Sequence, residues 1–322
     1  MYNLRDEIIP NIYLSAPLFS IIIPTYNGEK TILFVLESIK QQNFKDFEVI
    51  IYDDASKDGT KKLIKKWNTN FGGDLIFIEG KKNYGSFFAA NKCIQIAKGR
   101  FIITGAQDNI FSNDRLMVIS NIIERNTSLN FITSDVFTGN FEYFLKHRGD
   151  LKKGLSHFVK PNLYSLLLLR SLYFQFDNLV VHKDLAALFY KSSAYSPCED
   201  LSFIINVFFK HNEIALHSMH IDAPLLYKIS SDSSQTFNNA ENICEVTIRI
   251  AKEFSKNFFF LASINGSSKI IYFVRKWKLI CLFKFFLKEP IKFILGFFII
   301  ILRVVMQLLL TKKNQELDKT FF

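Results

Sequence analysis

Five short stretches of this 322-residue chain carry side chains whose types and order could do chemistry. The first is Pro24, Thr25, Tyr26, Asn27, Gly28 and Glu29, which offers a hydroxyl, an aromatic face and an amide in consecutive positions. The second is Asp53 and Asp54, followed by Ser56, Asp58 and Thr60. Adjacent carboxylates repel, so one of them is expected to accept hydrogen bonds from a ligand's imide and amide hydrogens. The third is Gly105 to Ile110, in which Asp108 could hold a divalent cation that also bridges two phosphate oxygens. The fourth is the pair Glu199 and Asp200, where a carboxylate could act as a general base. The last is a basic and apolar block, Lys269 to Leu310. Each also has a plain structural reading: Asn27 capping a helix, Ser56 or Asp58 capping the next, Asp108 closing a turn, and Glu199 and Asp200 favoured in a first helical turn.

Four apolar runs position the first three stretches: Phe19 to Pro24, Phe47 to Tyr52, Leu75 to Ile78 and Phe101 to Thr104. Short runs rich in Ile, Val and Phe read as buried strands. The interval after the first holds Ile32, Val35, Leu36 and Ile39 at helical spacing; the next holds Leu63, Ile64 and Trp67, and the third Phe87, Ala90, Asn91 and Ile94. Strand and helix alternating in this way predict an α/β fold with a mostly parallel central sheet and helices on both faces. Ligands of such sheets lie beyond the carboxyl ends of the strands, so the loops after Ile23, Tyr52 and Thr104 should converge, and Pro24, lacking an amide hydrogen, should end its ladder. Further on, a helix is expected over Asn113 to Arg125, a strand over Asn130 to Ser134, a turn at Lys152 to Gly154 and a helix over Asp200 to Lys210. His182 and His220 lie beside apolar stretches and read as packed side chains.

Lys and Arg number 27 against 26 Asp and Glu in residues 1 to 251, but 12 against 2 in residues 252 to 313. A nearly neutral body argues against a nucleic-acid partner. The surplus belongs to the C-terminal block, where single Lys or Arg residues interrupt Ile, Leu and Phe. Basic apolar helices of this kind lie in the membrane interface and are drawn to anionic lipid. The longest uninterrupted apolar run, Phe293 to Leu302, has ten residues, short of the about 20 that cross a bilayer. A helical hairpin closing the core, or a homo-oligomer interface, is the alternative for this block. Met1 to Pro10 has no apolar core of a signal peptide, and four scattered Cys suit a reducing compartment.

Taken together, Phe19 to Gly28, Phe47 to Thr60, Asn83 to Phe101, Gln107 to Leu116 and the Glu199-Asp200 pair closely resemble the family 2 glycosyltransferases with the GT-A fold, over about residues 18 to 235. The resemblance implies a GT-A domain over 1–235, with a nucleotide-binding half at about 18–110 and an acceptor half at about 111–235, and a C-terminal membrane-associating region over 236–322. It implies inverting transfer from a nucleotide diphosphosugar, UDP foremost, to a glycan or lipid-linked acceptor, of the bacterial surface-polysaccharide type, at the cytoplasmic face of the inner membrane. Pro24, Thr25, Tyr26, Asp53, Asp54, Asn83 and Gln107 fall on the nucleotide-binding positions, and Asp200 on the general base with Glu199 beside it. The family's DxD metal motif aligns with Ala106, Gln107, Asp108 and Asn109, so Asp108 alone retains an acid for Mn or Mg. Tyr227, Lys228 and Ser230 match a later YRxH-type segment with Lys for Arg and Ser for His. The loss of acids at Ala106 and Gln107 motivates a second reading, a nucleotide-sugar binder without catalysis. A sugar nucleotidyltransferase would need a Gly-rich loop with an Arg where Tyr26 to Glu29 stands.

Overall fold

A computed structural model describes residues 16–139, 155–157, 178–188, 203, 217–229, 286–288, 290, 291, 293, 294 and 297. Its strands are β1 (Phe19–Thr25), β2 (Phe47–Asp53), β3 (Asp74–Glu79), β4 (Phe101–Thr104), β5 (Asn109–Phe111), β6 (Phe131–Gly139), β7 (Leu155–His157), β8 (Val180–His182) and β9 (Ser218–Ile229). The helices among them are α1 (Ile32–Lys40), α2 (Thr60–Asn68), α3 (Ser86–Ile96), α4 (Arg115–Arg125) and the short α5 (Lys183–Ala186). All nine strands join one sheet in the order β3-β2-β1-β4-β8-β6-β9-β5, with β7 beside β9.

The half made of β3, β2, β1 and β4 is wholly parallel. β1, β2 and β4 are buried on both faces, which is why they read as continuous apolar runs rather than alternating ones, while β3 at the sheet edge is half-buried. Phe19, Ile21 and Ile23 of β1, with Val49 and Ile51 of β2, share a core with Ile32, Val35, Leu36 and Ile39 of α1, Ile64 and Trp67 of α2, and Leu116, Ile119 and Ile123 of α4. Side chains alternate along a strand, so Ile22, Ile50 and Ile102 face the other way. There α3 packs on β1 and β2, bringing buried Ala89, Ala90, Cys93 and Ile94. Burial pushes the Cys93 thiol up, so this cysteine is a packing group rather than a nucleophile.

The second half of the sheet is mixed. Strand β8 enters antiparallel between β4 and β6, while β6 and β9 run parallel. The helix expected over Asn113 to Arg125 forms as Arg115–Arg125, and the strand expected over Asn130 to Ser134 extends to Gly139. Arg115 is buried and donates from Nη1 to Asn178 Oδ1 at 3.0 Å, which ties α4 to the segment entering β8.

Chain contacts divide the molecule into two units, one of Met1–Lys160, Phe176–Tyr190 and His217–Ser230, the other of Pro161–Gln175, Lys191–Leu216 and Ser231–Phe322. In the second, residues 286–288, 290, 291, 293, 294 and 297 are helical and display Phe286, Leu287, Ile291, Ile294 and Phe297 as exposed large apolar side chains. No helix among the described residues is long and apolar enough to cross a membrane. The expected turn at Lys152 to Gly154 and helix over Asp200 to Lys210 lie outside the described residues, apart from the helical Phe203.

Candidate functional site

Registers in the parallel half fix where the loops emerge. Thr25 pairs with Asp53 at the ends of β1 and β2, and Ile22 pairs with Thr104 at the end of β4. Loop A (Tyr26–Thr31), loop B (Asp54–Gly59) and loop C (Gly105–Asp108) therefore leave one carboxyl edge together, as the strand spacing predicts. Pro24 does not end β1. It pairs with Tyr52, and the ladder runs on to Thr25. The β4 partner has already stopped at Thr104, so the missing amide hydrogen is tolerated at this position.

Loops A and B are laced to each other. Asn27 N–H donates to Ser56 Oγ at 2.9 Å, Gly28 N–H to Thr60 Oγ1 at 2.8 Å and Glu29 N–H to Asp58 Oδ2 at 3.1 Å. In return, Lys57 N–H donates to Asn27 Oδ1 at 2.9 Å and Gly59 N–H to Glu29 Oε2 at 3.0 Å. Asn27 is thus not the cap of α1. That position is Thr31, and Asn27 sits in the left-handed region at φ 52°, which Asn tolerates better than most residues. Of the two residues expected to cap α2, Asp58 serves its first turn by accepting from Thr60 N–H and Oγ1, while Ser56 serves loop A. Although burial pulls the Asp58 carboxyl upward, bonds from Thr60 and Glu29 carry it below its ordinary value.

The adjacent acids have different surroundings. Asp53 is fully buried, its Oδ1 accepting Ser56 N–H at 2.9 Å and its Oδ2 having no hydrogen-bond partner among the described residues. Asp54, 2% exposed, reaches the loop before α3, where Oδ1 accepts Tyr84 N–H at 2.9 Å and Oδ2 accepts Gly85 N–H at 2.6 Å. Gly85 caps α3 at φ 94°, a conformation that suits glycine. Asn83 Oδ1 also accepts from Gly85 N–H, at 3.1 Å. Tyr84, 57% exposed, lies against Phe88 at 4.6 Å, so Asp54 holds an exposed aromatic at the crevice wall.

Loop C is joined to loop A by one side chain. Gln107 Oε1 accepts from Thr25 Oγ1 and from Tyr26 N–H, both at 2.7 Å, and its Nε2 donates to the Tyr26 carbonyl at 3.0 Å. Thr25 is buried and its hydroxyl is committed to this contact, whereas Tyr26 is exposed. On its other side loop C is held by Ile229, whose N–H donates to the Asp108 carbonyl at 3.0 Å. Asn109 then lies opposite Lys228 in the β5–β9 ladder, which brings the Tyr227-Lys228 segment to Asp108.

Two lone pairs on Gln107 Oε1 meet two donors, so this oxygen has none to offer a metal. Among the described residues no group of three or more His, Cys, Asp or Glu could hold a metal ion. The donor set therefore fits a hard cation only in the form that takes one carboxylate, Asp108, and completes its shell with phosphate oxygens and water. Glu199 and Asp200 lie outside the described residues. His182 is packed edge-on against Phe101 at 5.3 Å, and burial holds its imidazole below the ordinary 6.5, with Asp184 opposing and Arg100 adding to the effect.

A mostly parallel sheet with two adjacent acids, an exposed Tyr and a further Asp in the loops at its carboxyl edge defines an α/β protein of the kind whose ligands lie beyond the strand ends. The profile of Glycosyl transferase family 2 matches residues 20–183. The chain belongs to that family. It is 29% identical over 171 residues to an uncharacterized glycosyltransferase of Methanocaldococcus jannaschii, covering 52% of this chain and 55% of the relative. It is 32% identical over 124 residues to a PGL/p-HBAD biosynthesis glycosyltransferase of Mycobacterium bovis, covering 38% of this chain and 48% of the relative. The chain thus spans about half the length of these curated relatives. Among solved structures, S. aureus TarS in complex with UDP aligns with a TM-score of 0.55 at 20% identity, over 80% of this chain and 72% of that one. The mannosyltransferase PcManGT from Pyrobaculum calidifontis, in complex with GDP-Man and Mn²⁺, aligns with a TM-score of 0.55 at 14% identity, over 92% and 88%. At these identities the likeness establishes the fold, which is the mixed α/β GT-A arrangement expected from the sequence.

Proposed function

We propose that the chain is an inverting glycosyltransferase that moves a sugar from a nucleotide diphosphosugar, with UDP the favoured nucleotide, to an acceptor hydroxyl. The observation that carries this reading is the meeting of loops A, B and C at one sheet edge, with Tyr26, Asp54 and Asp108 brought together on them. Tyr26 and the wall fixed by Asp54 bind the base and ribose, Asn83 helps shape that wall, and Asp108 faces the diphosphate end. A divalent cation bound through Asp108 and the diphosphate would neutralise charge that develops on the leaving group. Asp200, with Glu199 beside it, takes the proton of the acceptor hydroxyl. That oxygen bonds to the anomeric carbon as the bond from this carbon to the diphosphate oxygen breaks, with inversion, and the nucleoside diphosphate leaves.

Purified Asp200→Asn tests the base. Donor affinity is expected to match the wild type while transfer falls by about two to four orders of magnitude; transfer at the wild-type rate would remove Asp200 from this role. The second reading, binding without turnover, draws on Ala106 and on the committed amide of Gln107. It predicts donor binding with no product from the wild-type chain.

The acceptor is proposed to be a lipid-linked glycan in surface-polysaccharide or lipopolysaccharide synthesis, met at the cytoplasmic face of the membrane. Support comes from the basic block over 252–313 and from the exposed Phe286, Leu287, Ile291, Ile294 and Phe297. At 100° per residue these five span an arc of roughly 140°, outside which Lys288 falls. Flotation of the full chain with vesicles is expected to recover it with anionic lipid and to release it as salt rises. Recovery in the lipid-free fraction at low salt with anionic vesicles would contradict membrane docking.

A further inference from the structure

Gln107 occupies the middle of the only string in loop C that aligns with a metal motif, yet its carboxamide is turned wholly toward loop A. The two bonds to Tyr26 pair one side-chain amide with both polar groups of one residue's backbone, as a strand neighbour would. That pairing fixes the orientation of the amide, and the Thr25 hydroxyl then fills the second lone pair of Oε1. Gly28 makes room for it: a Cβ at that residue would lie 2.8 Å from Gln107 Oε1 and 3.1 Å from Thr25 Oγ1. One residue later the chain reaches Asp108, whose carbonyl is held by Ile229. A single strut thus runs from the backbone of Tyr26 to the backbone that presents Asp108.

We propose that Gln107 is a positioning residue of the donor site, which fixes the spacing between Tyr26 at the base end and Asp108 at the diphosphate end and so couples recognition of the two ends. The inference rests on the nucleotide-sugar reading above and extends it to a residue that touches neither the reacting atoms nor a metal. Its consequence is energetic rather than architectural: with the strut in place, fixing the base also fixes the carboxylate, and the ordering cost is met once for both. Without it, the roots of loops B and C stay tied to β1, since Gly105 N–H still donates to the Ile22 carbonyl and Asp54 N–H to the Thr25 carbonyl.

The experiment is calorimetric titration of UDP into the full chain with and without Mn²⁺, in the wild type, in Gln107→Met, which keeps the length and removes the hydrogen bonds, and in Gln107→Glu, which keeps the acceptors and removes the donor to Tyr26. The wild type is expected to bind UDP more tightly with Mn²⁺ present. In Gln107→Met, UDP affinity should fall about tenfold, as loss of several ordinary hydrogen bonds implies, and the gain from Mn²⁺ should shrink toward none; Gln107→Glu should fall between the two. If Gln107→Met does not fold, Thr25→Val removes one bond of the three and should show a smaller loss of the same kind. Variants that bind UDP and respond to Mn²⁺ as the wild type does would overturn the coupling while leaving the donor assignment intact. Failure of the wild type to bind UDP or GDP would overturn the assignment and the coupling together.

Discussion

Asp54 Oδ2 accepts the backbone N–H of Gly85 at 2.6 Å, joining the end of β2 to the first turn of α3. The same carboxylate takes Tyr84 N–H, so two amides that precede a helix share one buried acid. Negative charge is favoured at a helix N-terminus, and charge-assisted bonds of this type are among the stronger ones. Asp54 is thus a builder of the crevice wall that carries the exposed Tyr84.

Asp54→Ala should leave both amides without their acceptor. The expected loss of stability is about 1–3 kcal/mol, together with weakened nucleotide binding, and Asp54→Asn should lose less of both. Chemical denaturation and UDP titration on the same samples check this. An unchanged denaturation midpoint in Asp54→Ala would contradict the assigned role.

Gly28→Ala places a methyl group against Gln107 Oε1 and Thr25 Oγ1. The carboxamide must then leave Tyr26, so the variant should lose UDP affinity to the same extent as Gln107→Met. Combined, the two substitutions should cost little more than either, because both break one contact. Additive losses in the double variant would show that Gly28 acts elsewhere.

His182 gives a pH signature of stability. Its folded value lies below its ordinary 6.5, so the unfolded chain takes a proton first as pH falls. Stability should therefore decline as pH drops through about 6.5 toward the lowered folded value. His182→Phe should show a shallower decline of melting temperature between pH 8 and 5.5. A steeper decline in the variant would reverse the sign argued here.

Much of the parallel half could be read directly. Phe19 to Pro24, Phe47 to Tyr52 and Phe101 to Thr104 became strands within a residue of expectation, because strands covered on both faces need continuous apolar runs. Ends were less legible, since whether Pro24 stops a ladder depends on where β4 stops. Val180–His182 is too short, at three residues, to carry a strand pattern of its own, although it separates β4 from β6. The types of the site residues were visible, but their partners were not. Asn27 has a capping side chain and a helix just after it, yet bonds to Lys57 across two loops. Gln107 aligned with a ligand motif, yet its amide serves Tyr26, 81 residues earlier. Contacts of such separation follow from register, and no local pattern records them.

The donor claim is tested most directly by thermal unfolding of the full chain against UDP-, GDP- and TDP-sugars, each with and without Mn²⁺. At about a hundredfold excess over Kd a bound ligand adds about 2.7 kcal/mol, worth a few degrees in a chain of this size. A rise of that order with a UDP-sugar, larger when Mn²⁺ is present, is the predicted result. An unmoved melting temperature with every nucleotide sugar, with and without metal, would contradict the account.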